Sequence, residues 1–534
     1  MVVCCGGHEA QAASRLTFAI EPRLNWRAGQ RKTTGTFAAD CGMAATMTAT
    51  APAPVSSAAF LDEAERLLGQ RGLTRDPDRM DAWLTDWRGR YTGRALALAS
   101  PASTAEVSAL VKLCARHRVP IVPQGGNSGM AGGATPDASG NAIILSLRRM
   151  DAVRQMDAAA GQITCEAGVI LQHLHDLAGD AGLRFPLTLG GKGSATIGGL
   201  VSTNAGGTRV LRHGTMRAQV LGLEAVWADG SVFDALTPLK KDNRGFDLKQ
   251  LLIGSEGTLG IVTAACLKLL PAPTGRVTAW TGLASITDAR TLLRRVERDL
   301  GEALEGFEVV PAHCLDSVLG HLPAARAPLS ERHAWNALIE CVSASDDSET
   351  LREKLEASLA AAMEDGLLAD AVIAANDRQA EDFWQLRDSI SAAERALGPA
   401  MQHDISVPVE KMPEFILAAS PAVEQAFPGT RAVAFGHLGD GNVHFHVLAP
   451  TGALRGEWEE AEGKAVSARV YDLVTQWGGS ISAEHGIGQM KVAELARLHD
   501  PVALAMMRNV KQALDPLGLL NPGKLVITPP AACT

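Results

Sequence analysis

Two histidines and a glutamate in the second half of the chain have the residue types of an open metal site. His437 and His444 lie in the run 436–446, which reads GHLGDGNVHFH, and Glu484 lies in SAEHGIG at 482–488. Three protein ligands leave coordination positions for a substrate, whereas a structural zinc site usually fills all four and relies on cysteine. The pattern therefore predicts a catalytic site, most simply for zinc, with manganese or iron as alternatives.

Two further histidines accompany these candidate ligands. His485 follows Glu484 directly, and a neutral imidazole beside a cation is suited to act as a general base. His446 lies two residues after His444 and so on the same face of a strand, where it could contact substrate or supplement the metal site. A single histidine of this kind is usually an ordinary hydrogen-bonded residue. Three within ten residues, together with the Glu-His pair, favour a functional site.

Three glycine-rich segments in the first half of the chain suit an anionic cofactor. They read PQGGNSGMAGG at 123–133, LGGKGSATIGGLVSTNAGG at 189–207 and GSEGTLGIV at 254–262. Successive backbone N–H groups in such loops can form a concave site for phosphate. The many glycines of the second segment also cost conformational entropy on folding, which a simple connector would not explain. Taken alone, the first segment would fit a tight turn equally well, and the third a turn into a strand.

The composition is that of a globular protein of two or three domains. The 534 residues are 46% apolar, the net charge is −9, and lysine and arginine are scattered, so a nucleic-acid partner is not expected. The apolar runs are far shorter than the roughly 18 residues of a membrane-spanning helix. The nine cysteines are odd in number and lack a CxxC pair, which indicates a reducing compartment and argues against an iron–sulfur cluster.

Alternating helical and strand patterns predict an α+β chain. A helix is expected after Ser57 and another after Ser103, followed by short strands between glycine turns as far as residue 270. The proline-rich break at 271–275 predicts a domain boundary. Beyond it, helices near 286–303, 348–365, 378–397 and 453–476 alternate with strands, which predicts a mostly antiparallel sheet with helices on one face.

The three glycine segments, in this order and spacing, resemble the FAD-binding domain of the vanillyl-alcohol oxidase type. The motifs between His437 and Lys491 resemble the D-2-hydroxy-acid dehydrogenase branch, which includes D-2-hydroxyglutarate dehydrogenases, D-lactate dehydrogenases and the FAD subunit of glycolate oxidase. The resemblance covers about residues 58–526. It implies a two-domain flavoprotein, divided into an FAD-binding domain at 58–275, a substrate and metal cap domain at 276–500, and a C-terminal segment at 501–526 that returns to the first domain.

The resemblance also implies which residues hold FAD and metal. Asn127 stands where relatives with covalent flavin have histidine, so the FAD is expected to be non-covalent. The metal ligands would be His437, His444 and Glu484. The residues expected to bind FAD are Gly125, Gly126, Asn127, Ser128 and Gly129 at the pyrophosphate, Gly190, Gly198, Ser202 and Asn204 beside the flavin, Glu256, Gly257 and Ile261 along the adenosine half, and Asn521 in the tail.

The substrate would be held by a helix that carries Arg387 and Ser391. Arginine can pair with a carboxylate through two parallel hydrogen bonds, and the serine one turn later would face the same way. Without the family motif, a solvated arginine paired with a neighbouring acid would be the usual interpretation. Hydroxyglutarate dehydrogenases carry a substrate-facing lysine where this chain has Gln402. That difference puts hydroxyglutarate in doubt and favours lactate or another D-2-hydroxy acid.

The expected reaction is oxidation of a D-2-hydroxy acid to the 2-oxo acid, with hydride transfer to FAD and electrons leaving to a quinone, cytochrome or electron-transfer flavoprotein. The alternatives are an FAD subunit of a larger glycolate- or lactate-oxidising complex, a peroxide-forming oxidase and, more distantly, a metallohydrolase without flavin. A homodimer is possible. Residues 1–57 are expected to be a disordered or mis-started extension. The expected location is cytoplasmic, or mitochondrial if this extension is a transit peptide.

Overall fold

The computed structural model describes residues 57–239 and 241–527, which lie within one compact unit, Ala53–Thr534. The expectations for residues 1–56 therefore lie outside the described part of the chain. Among the described residues, no helix is long and apolar enough to cross a membrane.

The first domain contains a mainly parallel sheet and an antiparallel sheet. The four-stranded sheet has the order β1-β2-β4-β3, the five-stranded sheet has the order β5-β6-β10-β8-β9, and β7 pairs with β11. The strands are β1 Leu73–Thr74, β2 Ala97–Ala99, β3 Ile121–Gln124, β4 Ile143–Ser146, β5 Val153–Asp157, β6 Gln162–Glu166, β7 Leu183–Arg184, β8 Val220–Trp227, β9 Val232–Ala235, β10 Gly260–Lys268 and β11 Leu270–Pro271. The helices are α1 Ser57–Gly72, α2 Pro77–Leu84, α3 Thr104–His117, α4 Leu171–Asp180, α5 Ile197–Thr203, α6 Val210–His213, α7 Met216–Gln219 and α8 Lys249–Leu252.

Local sequence explains where the clearest helix of this domain begins and ends. Ser103 caps α3 by accepting a hydrogen bond of 3.2 Å from the Glu106 N–H, as its spacing from that glutamate predicts. Arg118 ends the helix in the left-handed conformation, with φ of 57°. Residues such as Leu110 and Cys114 are fully buried, so α3 packs its apolar face against the sheet.

The second domain is built on one seven-stranded sheet in which all pairs are antiparallel. Its order is β15-β12-β14-β13-β17-β18-β16. The strands are β12 Gly275–Leu283, β13 Leu304–Pro311, β14 Trp335–Ser343, β15 Asp370–Ile373, β16 Ala400–Ser406, β17 Arg431–His437 and β18 Asn442–Leu448. The helices are α9 Ile286–Leu300, α10 Ala312–His321, α11 Ser348–Glu364, α12 Asp377–Asp388, α13 Ile390–Leu397, α14 Met412–Ala426, α15 Lys464–Gln476 and α16 Val492–Leu498. The last helix, α17 Pro501–Leu514, packs against the core of the first domain through Val510 and Leu514.

The antiparallel sheet agrees with the sequence prediction, and its second face is also covered. Helices α9, α11, α14 and α15 share a core with one face, as expected. Helices α10, α12 and α13 pack against the opposite face in a separate core around Trp280 and Phe435. Because successive strand residues point to opposite faces, Ala279 belongs to the first core and Trp280 to the second.

The end of the chain contacts the first domain through backbone hydrogen bonds. The Ile121 N–H donates to the Leu519 carbonyl, and the Asn521 N–H donates to the Ile121 carbonyl, each at 2.8 Å. The Lys511 ammonium reaches the Thr258 carbonyl at 2.7 Å and the Asp515 carboxylate at 2.5 Å. These contacts place Asn521 next to the glycine segments.

Candidate active site

The hairpin of β17 and β18 positions both predicted metal-binding histidines. His437 ends β17 and His444 lies within β18, and their ring centroids are 5.3 Å apart. The Nε2 atoms of His437 and His444 lie 3.4 and 3.3 Å from the same terminal nitrogen of Arg387. Glu484 approaches from a separate loop, with its carboxylate oxygen 3.8 Å from His437 Nε2. Arg387 therefore lies between the two histidines.

Glu308, on the neighbouring strand β13, holds both His437 and Arg387. It is 1% exposed; one carboxylate oxygen accepts a hydrogen bond of 2.7 Å from Arg387 Nε, and the other contacts His437 Nδ1. Burial alone would raise the pKa of this carboxyl, but Arg387 and His437 lower it to about 2. In turn, Glu308 outweighs the effect of burial on His437 and raises the pKa of that imidazole to about 9. Glu308 was not predicted as a site residue, although an acid within an apolar strand is a signal of a buried ion pair.

Asp404, on β16, holds the loop that carries Glu484 and His485. One carboxylate oxygen accepts the backbone N–H groups of Glu484 and His485 at 2.8 and 2.9 Å, and the other accepts Asn442 Nδ2 at 2.8 Å. Within the described residues, the tight group of three potential ligands is Asp404, Glu484 and His485, rather than the predicted trio. Because both Asp404 oxygens already accept hydrogen bonds, the geometry favours an orienting role for this carboxylate.

His485 is held beside the same carboxylate, with its Nδ1 3.5 Å from Asp404. Burial lowers the pKa of the imidazole, and although Asp404 opposes this, Lys491 and Arg88 lower it further, to about 4. The lowered pKa favours the neutral ring. Because 30% of the His485 side chain is exposed, the ring is also accessible. A general base requires both properties.

The predicted helix 378–397 is wrong in one respect, because it is divided at Ser389. That serine ends α12 and precedes α13, with φ of −81° and ψ of −5°. Its backbone remains in the right-handed helical region, so a single residue separates the two helices. Arg387 and Ser391 are therefore on two consecutive helices rather than on one.

His446 is paired with an acid that the sequence analysis did not identify. Its Nδ1 contacts the carboxylate of Glu394 in α13, and both residues are almost completely buried. The strand partner of His446 is Gln402. The Gln402 side-chain oxygen accepts a hydrogen bond of 2.8 Å from Arg88, which lies in the first domain between α2 and β2.

The first two glycine segments pack directly against each other. A Cβ at Gly126 would lie 1.7 Å from the Ser194 carbonyl oxygen, and one at Gly125 would lie 2.2 Å from the Thr196 hydroxyl. Gly129 and Gly190 have no atom within 4 Å of the equivalent position. The segments thus contain glycines that the packing requires and glycines that face open space, where a ligand could approach.

Asn521 joins the first and third glycine segments. Its amide nitrogen donates to the Gly133 carbonyl at 2.9 Å and to the Glu256 carbonyl at 2.7 Å. The Asn521 side-chain oxygen and the Thr196 hydroxyl are buried without a protein partner in the described residues. Buried polar atoms normally have a partner, so these two are suited to a polar ligand such as FAD.

Several other predicted cofactor residues use their side chains within the protein. Asn127 donates to the Thr85 carbonyl at 2.9 Å, and Asn204 accepts the Thr215 hydroxyl at 2.9 Å. Ile261 is 1% exposed in β10. These three residues could therefore contact a cofactor mainly through their backbones. Gly198, Ser202 and Gly257 lie in the same converging segments and pack against Ala167, Glu256 and Pro123, respectively. Ser128, in the first segment, lies beside Gly191 of the second.

A cleft of about 450 Å³ lies between the glycine segments and the Glu484 loop. Asn204, Gly254 and Glu256 line it from the first domain, and residues 479–484 line it from the second. Glu256 also ties the domains together, because its two carboxylate oxygens accept the N–H groups of Ile487 and Gly488, each at 2.7 Å. The loop that carries the candidate ligand Glu484 thus faces the candidate cofactor site.

Comparisons with known proteins agree with this geometry. Residues 95–235 match the family model of an FAD binding domain, and residues 272–525 match that of the C-terminal domain of FAD linked oxidases. A probable mitochondrial D-2-hydroxyglutarate dehydrogenase of Oryza sativa subsp. indica is 40% identical over 86% of this chain and 80% of its own length. A D-2-hydroxyglutarate dehydrogenase of Xanthomonas citri pv. viticola is 35% identical over 85% of this chain and 94% of its own.

A solved structure extends the similarity to the fold. p-Cresol methylhydroxylase with substrate bound superposes with a TM-score of 0.68 at 15% identity, covering 88% of this chain and 96% of the other. The likeness confirms the predicted two-domain fold of the vanillyl-alcohol oxidase type. The level of identity to the curated relatives, over most of each chain, confirms the family. The chain is an FAD-linked oxidoreductase that belongs to the D-2-hydroxy-acid dehydrogenases.

Proposed function

We propose that the protein oxidises a D-2-hydroxy acid with the help of a divalent metal bound by His437, His444 and Glu484. One observation carries the proposal. Glu484 lies 3.8 Å from His437 Nε2 and also lines the cleft opposite the glycine segments, so a substrate could contact the metal ligands and the flavin site together.

The chemistry of the donors supports a metal at this position. Two imidazoles and one carboxylate suit zinc, manganese or iron. Because Glu308 contacts His437 Nδ1, Nε2 is the ring nitrogen that faces the other proposed ligands, 3.4 Å from an Arg387 terminal nitrogen and 3.8 Å from Glu484. A divalent cation, when bound there, would polarise the 2-hydroxyl of a substrate and lower its pKa.

The protein side chains would then hold the substrate and move its proton. Arg387, fixed by Glu308, is positioned to pair with a carboxylate of the acid. His485, kept neutral by its surroundings, would remove the hydroxyl proton, and Asp404 would keep the ring in place. Ser391 and His446 complete the proposed set of substrate-facing residues.

FAD, when bound, would accept the hydride from C2. We propose that it is held non-covalently, with the pyrophosphate at 125–129, the flavin beside Gly190, Gly198, Ser202 and Asn204, and the adenosine half along Glu256, Gly257 and Ile261. Asn521, whose side-chain oxygen is buried without a partner, would reach the flavin.

Anaerobic reduction of the flavin tests the reaction directly. The purified yellow protein is mixed with D-lactate, D-2-hydroxyglutarate, D-malate and the achiral glycolate, and with the L-enantiomers of the three chiral acids as controls. At least one D-acid should bleach the flavin absorbance, and a chelator should slow the bleaching without releasing flavin. If no D-acid reduces the flavin, the reaction is wrong; if the chelator has no effect, the metal is wrong.

Replacement of His485 tests the proposed base. His485→Asn should slow flavin reduction by about 10²- to 10⁴-fold, which is the usual contribution of a positioned base. His321→Asn, at an exposed histidine of α10, is the matched control and should leave the rate unchanged. Equal rates in the two variants would exclude His485 as the base.

The electron acceptor and the location of the protein are further proposals. The five described cysteines are free and buried, and they offer no redox relay, so we propose an external acceptor such as a quinone, cytochrome or electron-transfer flavoprotein. The relatives from rice and Arabidopsis thaliana are named mitochondrial, which supports a mitochondrial location, whereas that from Xanthomonas citri pv. viticola is not so named.

A further inference from the structure

Two buried hydrogen-bond donors beside the site have no acceptor in the described protein. Arg88 donates one hydrogen bond of 2.8 Å, from a terminal nitrogen to the Gln402 side-chain oxygen. The Nε of Arg88 and the amide nitrogen of Gln402 are both buried without a partner. Burying a hydrogen-bond donor without an acceptor costs free energy, so we expect a bound ligand to supply the acceptor.

These donors lie two residues along strand β16 from the proposed reaction centre. Asp404 pairs across the strands with His444, and Gln402, two residues earlier, pairs with His446. Alternate residues of a strand share a face, so the two pairs lie side by side, about 7 Å apart. A substrate whose 2-hydroxyl is held near His444 would extend its chain towards Gln402 and Arg88.

The local charge favours an anion at this position. Burial lowers the pKa of Arg88, and the cations Arg90 and Arg395 lower it further, to about 10. Asp86 is the acid that opposes them, and one of its oxygens already accepts the Tyr91 N–H at 2.7 Å. Among the groups that shift the pKa of Arg88, two cations therefore oppose one acid, and the buried acid Glu394 near Gln402 is paired with His446.

We infer that Arg88, oriented by Gln402, binds a second carboxylate of the substrate, so that the preferred substrate is a D-2-hydroxy dicarboxylic acid. Gln402 has no charge of its own, but its oxygen holds the guanidinium and its amide nitrogen can add a hydrogen bond. A guanidinium can present two parallel N–H groups to a carboxylate. This inference rests on the proposed function. It assigns to Arg88, in the first domain, the positive charge that Gln402 lacks.

The discrimination between dicarboxylic and monocarboxylic acids tests this inference. Apparent Kd values are measured from flavin reduction in the intact holoprotein, with D-2-hydroxyglutarate and D-malate against D-lactate. Wild-type protein should bind at least one of the two dicarboxylic acids more tightly than D-lactate. In Arg88→Gln the ratio of dicarboxylate to lactate Kd should rise by about 10- to 100-fold, as expected for a lost charged hydrogen bond. Arg79→Gln, at an exposed arginine of α2, is the control and should leave the ratio unchanged.

A second variant separates charge from structure. Adding Gln402→Lys to Arg88→Gln returns a cation to the same place and should recover most of the discrimination. If Arg88→Gln does not retain flavin, Gln402→Glu tests the same point, because its carboxylate would neutralise Arg88 and should raise the ratio. Lactate preferred by the wild type, or an unchanged ratio in the variants, would overturn the inference. Failure of every D-acid to reduce wild-type flavin would instead overturn the proposed function.

Discussion

Arg184 donates two hydrogen bonds, of 2.8 and 2.7 Å, to the two carboxylate oxygens of Glu305. Arg184 lies in β7 of the first domain and Glu305 in β13 of the second, the strand that also carries Glu308. The carboxylate is 1% exposed, and it is also within 3.5 Å of three other basic side chains, those of Arg209, Arg212 and His213. One buried acid thus connects the domains through four basic partners.

Glu305→Gln should destabilise the protein, because it leaves these basic groups near a neutral amide. Removal of one partner of a buried ion pair typically costs about 3 kcal/mol or more. The measurement is the urea unfolding midpoint, followed by circular dichroism. Asp382→Asn, which removes the exposed partner of Arg378, is the control and should cost under about 1 kcal/mol. Similar losses in both variants would show that Glu305 contributes no more than a surface pair.

The stabilising effect of Glu305 should disappear in acid. Burial raises the pKa of this carboxyl, but His213 and Arg184 lower it from 4.5 to about 2. A carboxyl with a lower pKa in the folded state stabilises the protein above pH 4.5, and this contribution is lost as the pH falls towards 2. The difference in unfolding midpoint between wild type and Glu305→Gln should therefore shrink between pH 4.5 and 3. A difference that stays constant over this range would contradict the assignment.

The parts of the fold that could be predicted are those whose local sequence has a regular pattern of apolar residues and helix caps. Helix α3 has its cap and apolar face within fifteen residues, and the strands of the second domain alternate with amphipathic helices. Helix α5, inside the second glycine segment, was not predicted. Its glycines disfavour a helix, but Ile197 and Val201 are fully buried, so tertiary packing overrides the local preference.

The residues of the proposed site also differ in whether the local sequence indicates them. His437, His444 and Glu484 could be proposed as ligands from the sequence because they lie in short motifs. The partners of Glu308 and Arg88 could not be identified in this way, since each of these residues lies more than 75 residues from its partner in the sequence. From the sequence, the neutral Gln402 indicated that a cation was missing from the site. Only the three-dimensional contact with Arg88 shows that a cation lies beside it.

Gly126→Ala should reduce flavin binding, because the new methyl group would meet the Ser194 carbonyl and push the first glycine segment away from the second. The purified variant should be paler, with a lower ratio of flavin to protein absorbance than wild type. Gly179→Ala is the control, since this helical glycine of α4 has open space around the added carbon. Equal flavin content in the two variants would contradict the proposed role of the first segment.

Glu308→Gln should weaken metal binding while the hairpin of β17 and β18 stays folded. The carboxylate contacts His437 Nδ1 and Arg387 Nε, so the neutral amide would hold both groups less firmly and would make the imidazole a weaker donor. Loss of such an outer partner usually costs about 10- to 100-fold in metal affinity. Zinc titration of chelator-treated protein by calorimetry gives the affinity directly. Glu353→Gln, at an exposed position of α11, is the control. If Glu308→Gln binds zinc as tightly as the control, the metal is not bound through His437.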